Sequence, residues 1–429
     1  MLIRKRYTPD VHLNLNVSGL PQSATLAINQ HSNELISQGK TVYKLGLGQS
    51  PFPVPKSVTA ELKAHAFQKD YLPVMGLHPL REVIASFHNK TQNIECNYSD
   101  VLVGPGSKEL MFILQLTYYG NLVVPTASWV SYAPQAHIIG RQIHWIETKE
   151  ENHWRLMPED LEKFCEPDPY RPRILILNYP SNPTGVSYSV SELKAIAKIA
   201  RKYKLILLSD EIYGELHHNG KHTSIAQFYP EGTIISNGIS KWCGAGGWRL
   251  GTFIFPKSLH WLRDGMAVVA SETFTSTAAP IQYAAIKAFE YDEDIQLYIR
   301  QSRSILKHLS KVCVDKLRDA HIDVATPDGG FYLFPNFSYY TEQLHKKGIY
   351  TSDDLCEHLL DETGVAILPG SAFGRPKTEF TTRMAYVDFN GDKAIKALVK
   401  HGIHSSAIQN TCSKIYKAMD QIALWVSRL

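Results

Sequence analysis

Between Asp100 and Pro256 the chain repeats one pattern: a short, almost unbroken apolar run, then a longer stretch in which apolar and polar residues mix. The runs are DVLVG, NLVVP, RILILNY, LILLSD, TIISNG and GTFIFP. A strand covered on both faces has no polar side to show, so runs of this kind predict a mainly parallel α/β sheet lying between helices. One intervening helix is well marked. Ser189 and Glu192 have the spacing of a capping box, and Leu193, Ile196, Ala200 and Tyr203 follow on one helical face. Leu80, Val83, Ile84 and Phe87 fall at i, i+3, i+4 and i+7 and predict another helix. In the last third the pattern changes. Long helical stretches before Pro327 give way to GGFYLF, GVAILPG and RMAYVDF, the short strands of an α+β lobe. Residues 405–429 read as one amphipathic helix.

Composition narrows the class. With 429 residues and 44% hydrophobic content the chain can bury more than one core. Its net charge of +4 is small and carries no long basic run, so nucleic acid is not an expected partner. The opening MLIRKRYTPDVHLNLN lacks the apolar stretch of a secretory signal, and no segment approaches the roughly 18 apolar residues of a membrane span. A cytoplasmic protein without membrane contact is expected. Six scattered cysteines, with no CxxC pair, read as reduced thiols and offer no metal cluster.

The chemistry-bearing segments each have an ordinary reading when taken singly. In GISKWCGAGGWRLG, Lys241 sits in a small-residue loop after a strand and Arg249 follows eight residues later; a solvated lysine and a surface ion pair would be unremarked there. In LILLSDEIY, Asp210 closes a strand, where an N-cap is common, and Tyr213 could be core. NYPSNPTG, with Asn182, could be a tight turn. VGPGSKEL combines a strand, a Gly/Pro loop and a helix start at Gly106, Ser107 and Lys108, whose N–H groups could cradle a phosphate. Trp129 in PTASWVSY could be a core residue.

Together, and in this order, these segments resemble class I and II pyridoxal-phosphate-dependent aminotransferases of fold type I over roughly residues 17–401. The resemblance implies that Lys241 carries pyridoxal 5'-phosphate as a Schiff base and shuttles protons. It implies that Asp210 pairs with the ring nitrogen, that Tyr213 and Asn182 contact the ring oxygen, and that Trp129 stacks on the ring face. Ser240, Arg249 and the Gly106–Ser107–Lys108 loop would hold the phosphate. GLGQSPFPVP resembles the segment whose glycine, here Gly48, approaches the substrate. TTRMAYVDF places Arg383 as the bidentate ligand of the substrate α-carboxylate, beside Asn182. DYLPVMGLHPLRE resembles the segment that gives a tyrosine, here Tyr71, to the neighbouring subunit's phosphate, which implies a homodimer with shared sites. The bond before Pro183 is expected to be cis.

The implied architecture is a large domain with a mainly parallel seven-stranded sheet, residues 49–300, and a small α+β domain, residues 301–429, joined by an N-terminal segment, residues 1–48. The implied activity is ping-pong transfer of an amino group from an L-amino acid to a 2-keto acid. A lyase cleaving a C–S bond would use the same residues. A cofactor-sensing regulator is a rival from another class, but it needs a DNA-binding domain of about 60 residues, for which the stretch before Val17 has no room. No basic residue matching a second substrate carboxylate is found in the sequence. That gap, with Trp129, Phe331 and Tyr332 nearby, favours neutral or aromatic amino acids.

Overall fold

The computed structural model describes residues 12–20 and 24–429. Its centre is a seven-stranded sheet in the spatial order Val101–Gly104, Gly251–Ile254, Thr233–Gly238, Ile206–Asp210, Arg173–Asn178, Asn121–Pro125 and Ile143–Ile146. All six apolar runs are strands of this sheet. The seventh strand that the resemblance implies is Ile143–Ile146, which no unbroken apolar run marks. It lies at the edge, where His144 and Trp145 interrupt the apolar pattern because one side is not fully covered. The sheet is mainly parallel, and Gly251–Ile254 alone runs antiparallel to both its neighbours.

Apolar clusters cover both faces. Leu110, Leu114, Phe253 and Met266 pack on one side, and Leu175, Leu193, Ile196 and Leu207 on the other. The helix Val190–Lys202 starts at the anticipated capping box: Ser189 Oγ accepts from the Glu192 N–H at 3.2 Å, and Glu192 Oε2 accepts from the Ser189 N–H at 2.7 Å. Its apolar face, Leu193, Ile196 and Ala200, is buried. The helix His78–Gln92 buries Leu80, Ile84 and Phe87 in the same manner.

A three-stranded antiparallel sheet of Leu368–Pro369, Thr382–Ala385 and Tyr332–Leu333 forms the second layer system. Tyr43–Lys44 pairs with Val365–Ala366, which brings the N-terminal segment beside it. The 27-residue helix Glu293–Asp319 is capped by Asp292, whose side chain accepts from the Ile295 N–H at 3.1 Å.

Two expectations are corrected. The C-terminal stretch is two helices, Ser406–Thr411 and Ser413–Val426, broken at Cys412. The first packs on Gly391–His401 and the second on Glu293–Asp319, and one straight helix cannot lie along both surfaces. The cis bonds among the described residues are Tyr179–Pro180 and Thr126–Ala127, so Asn182–Pro183 is trans. The Asn182 N–H is instead turned back onto Asn178 Oδ1 at 2.7 Å. No described helix is long and apolar enough to cross a membrane.

Candidate active site

Parallel strands deliver their C-terminal ends to one edge of a sheet, and ligands collect there. Register pairs Asn178 with Asp210 and Asp210 with Ser236, so the loops carrying Asn182, Tyr213 and Lys241 leave the sheet side by side. The antiparallel strand begins where its neighbours end: Gly251 pairs with both Gly104 and Gly238. Arg249, two residues earlier, therefore falls at the same edge as Gly106 and Lys241. Separation in sequence is cancelled by strand direction.

Asp210 is buried. Burial pushes its pKa up to about 6, opposed by three donors: the Tyr132 hydroxyl at 2.7 Å, Ser236 Oγ at 3.4 Å and the Ile212 N–H. A carboxylate so placed suits a cationic partner entering the cleft. Tyr132 meets Trp129 edge-to-face at 5.3 Å, and Lys108 Nζ lies 5.1 Å from the centre of a Trp129 ring. Burial, then the charges of Arg249 and Lys241, lower the pKa of Lys108.

The cradle at the start of the helix Ser107–Thr117 is built by absence of side chains. Gly106 caps the helix Ser107–Thr117 at φ 93°, a left-handed conformation that favours glycine, and a Cβ there would overlap the Arg249 guanidinium. A Cβ on Gly251 would overlap the backbone nitrogen of Ser107. Helix N–H groups and an exposed arginine thus share one small space. Ser240 is half-buried between the strand and Lys241.

On the other side of the cleft, Lys241 Nζ donates to Gly48 O at 2.7 Å and lies 5.6 Å from the Tyr213 ring centre. Arg383 is buried; it donates to Asn182 Oδ1 at 3.3 Å and to Gly46 O, while its Nε has no partner. Burial lowers its pKa, opposed by Tyr332 and Tyr213. A guanidinium with an unsatisfied buried N–H beside two short-range acceptors is suited to an incoming carboxylate.

Lys241 thus contacts Gly48 and Tyr213, and Arg383 contacts Asn182, the two groups meeting through Tyr332; Asp210, Trp129 and Lys108 are joined through Tyr132. Tyr71 is apart: it is 89% exposed and makes none of these contacts within its own chain. Two residues had no assigned role in the motif reading. Tyr132 ends PTASWVSY, and only the pairing of distant loops puts it on Asp210. Tyr332 was counted merely as aromatic company, yet it hydrogen-bonds Tyr213; Phe331, counted with it, is fully buried.

A primary amine, a buried carboxylate, a basic phosphate cradle and a carboxylate-binding arginine define a site for imine chemistry on amino acids. The comparisons agree with that class. Residues 40–398 match the family model described as aminotransferase class I and II. An aspartate aminotransferase of Geobacillus stearothermophilus is 34% identical over 84% of this chain and 91% of its own length. The structure of Thermus thermophilus aspartate aminotransferase with maleate superposes with a TM-score of 0.83 at 26% identity, covering 97% of this chain and all of that one. An aromatic aminotransferase of Pyrococcus horikoshii gives a TM-score of 0.78 at 28% identity, covering 92% and 99%.

The chain belongs to the class I and II aminotransferases and has their fold type I architecture. It is an aminotransferase of this pyridoxal-phosphate-dependent family, acting on amino and keto acids.

Proposed function

We propose that Lys241 is the covalent anchor of pyridoxal 5'-phosphate and the proton carrier of amino transfer. The observation supporting this is the convergence of Lys241, Asp210 and Arg249 with Gly106 at one edge of the seven-stranded sheet, faced across the cleft by Arg383 from the three-stranded sheet. The glycine-lined cradle and the unsatisfied Arg383 Nε fit a phosphate at one end of a ligand and a carboxylate at the other. Bound there, the cofactor supplies an electron-withdrawing ring that acidifies the substrate Cα–H.

The chain's own residues do the rest. Ser107, Ser240, Lys108 and Arg249 hold the phosphate. Asp210, fixed by Tyr132, keeps the ring nitrogen protonated. Trp129 covers one face, and Tyr213 and Asn182 bond the ring oxygen. Arg383 and Asn182 take the substrate carboxylate while Gly48 closes the backbone side. Lys241, displaced by the substrate amine, moves the proton at Cα. A 2-keto acid then reverses the path, which completes a ping-pong cycle.

The active unit is a homodimer in which the exposed Tyr71, close in sequence to Phe67 with 74% exposure, reaches the partner's phosphate. For the donor side chain, Lys108 is a cation beside Trp129 that the motif reading had placed only in the phosphate cradle. Aspartate and an aromatic amino acid are therefore the two leading arms of a donor panel. Preference for neutral or aromatic donors supports the reading from the aromatic wall; strict preference for aspartate transfers the side-chain contact to Lys108.

Borohydride reduction of the coloured protein, followed by peptide mapping, tests the anchor. The label is expected on Lys241, and Lys241→Ala is expected to lower amino transfer by several orders of magnitude. A label on another lysine, or normal turnover by Lys241→Ala, refutes the assignment.

A further inference from the structure

The Tyr332 side chain is fully buried and occupies the junction of the two halves of the substrate site. Its hydroxyl is 2.9 Å from the Tyr213 hydroxyl and 3.5 Å from Gly48 O, the same carbonyl that accepts from Lys241 Nζ at 2.7 Å. A Cβ on Gly48 would fall on that hydroxyl, so the glycine leaves the space it occupies. The face of the ring lies 4.8 Å from the Arg383 guanidinium carbon, opposite Phe373 at 5.1 Å. Ring and hydroxyl therefore have separate partners.

We propose that Tyr332 is a positioning residue of the transamination site, its hydroxyl donating to the Tyr213 oxygen so that the Tyr213 proton is aimed at the cofactor's ring oxygen. This rests on the assignment of Tyr213 given above. A hydroxyl has one proton. If Tyr213 donates to the ring oxygen it must accept from Tyr332, and the Tyr332 proton is then committed to Tyr213; its 3.5 Å separation from Gly48 O is too long to compete well. Accepting a bond makes Tyr213 a stronger donor in turn. The ring oxygen, so engaged, holds less tightly the proton on the linkage to Lys241, and that proton leaves at lower pH.

The test uses the cofactor-loaded protein and reads the midpoint of the pH titration of its visible absorbance. Tyr332→Phe keeps the ring over Arg383 and deletes only the hydroxyl. The midpoint is expected to rise by about 0.5–1 pH unit. Tyr213→Phe raises it as well, and adding Tyr332→Phe to Tyr213→Phe produces no further rise, because the relay has lost its receiver. Gly48→Ala displaces the same hydroxyl from the opposite side and shifts the midpoint in the same direction, should Tyr332→Phe fold poorly. An unchanged midpoint in Tyr332→Phe, or an equal rise in both backgrounds, overturns the proposal, since a packing role would act without Tyr213. A wild-type chain that gains no visible absorbance with pyridoxal 5'-phosphate refutes the cofactor assignment itself, a separate outcome.

Discussion

Replacing Tyr132 by Phe removes one oxygen from a fully buried ring and leaves the packing against Trp129 in place, so its consequence is nearly pure electrostatics. The lost bond is the 2.7 Å donation to Asp210. Hydrogen bonds to charged groups contribute roughly 1.5–3 kcal/mol and neutral ones roughly 0.5–1.5, so the ionised carboxylate loses about 1–1.5 kcal/mol more than the protonated one. That difference is about one pH unit. The Asp210 pKa, already pushed up to about 6, moves toward about 7 in the variant. At pH 7 the ionised fraction without cofactor then falls from about nine-tenths to about half.

The sign for stability follows from linkage. A carboxyl whose folded pKa exceeds its unfolded value binds its proton more tightly when folded. Its contribution is fully present below the unfolded value of 3.8 and is lost as pH rises through the folded value near 6. The variant, with the higher folded pKa, loses more. The stability gap between the wild type and Tyr132→Phe, both without cofactor, should therefore widen by about 1–1.5 kcal/mol between about pH 4 and pH 7.5. Urea unfolding at matched pH values measures it, and cofactor affinity at pH 7 should fall in parallel. A gap that stays constant across that range would show that the Tyr132 bond does not distinguish the two charge states of Asp210.

Three further outcomes are expected. Arg383→Lys should retain cofactor yet raise KM for every active amino acid by about 10- to 100-fold, because an ammonium cannot make two parallel bonds to a carboxylate; unchanged steady-state constants contradict the carboxylate assignment. Gly251→Ala, whose Cβ meets the Ser107 backbone, should cost about 1–3 kcal/mol in urea unfolding and weaken cofactor retention on dialysis, and wild-type values for both would show the cradle is not built on that close approach. Mixing Lys241→Ala chains with chains carrying Tyr71→Phe should raise activity above that of either chain alone, because one hybrid site then combines an intact Lys241 and Arg249 with an intact Tyr71 from the other chain, whereas full activity in a monomeric fraction rules out the shared site.

The strands and their chemistry were legible in the sequence because double-sided burial leaves an unbroken apolar run, and because Asp210, Asn182 and Lys241 follow such runs directly. The Val190–Lys202 helix was legible to its first residue, since a capping box is a local hydrogen-bond pair between Ser189 and Glu192. Edge position hid Ile143–Ile146, where polar residues are tolerated. The break at Cys412 was hidden too, because both helices carry an apolar face and only the surfaces beneath them differ in direction.

Motif resemblance named Tyr213, Gly48 and Arg383 one at a time, but not the relation among them. That relation depends on Tyr332, which is 119 residues from Tyr213 and 284 from Gly48. Likewise nothing near Tyr132 in sequence points to Asp210, 78 residues away. Sequence determined which residues could form strands, caps and ligands, since these follow from local burial and local hydrogen bonding. Strand order and direction decided which of those residues touch, because a hydrogen bond needs its two atoms within about 3 Å and only the packed sheet brings distant loops that close.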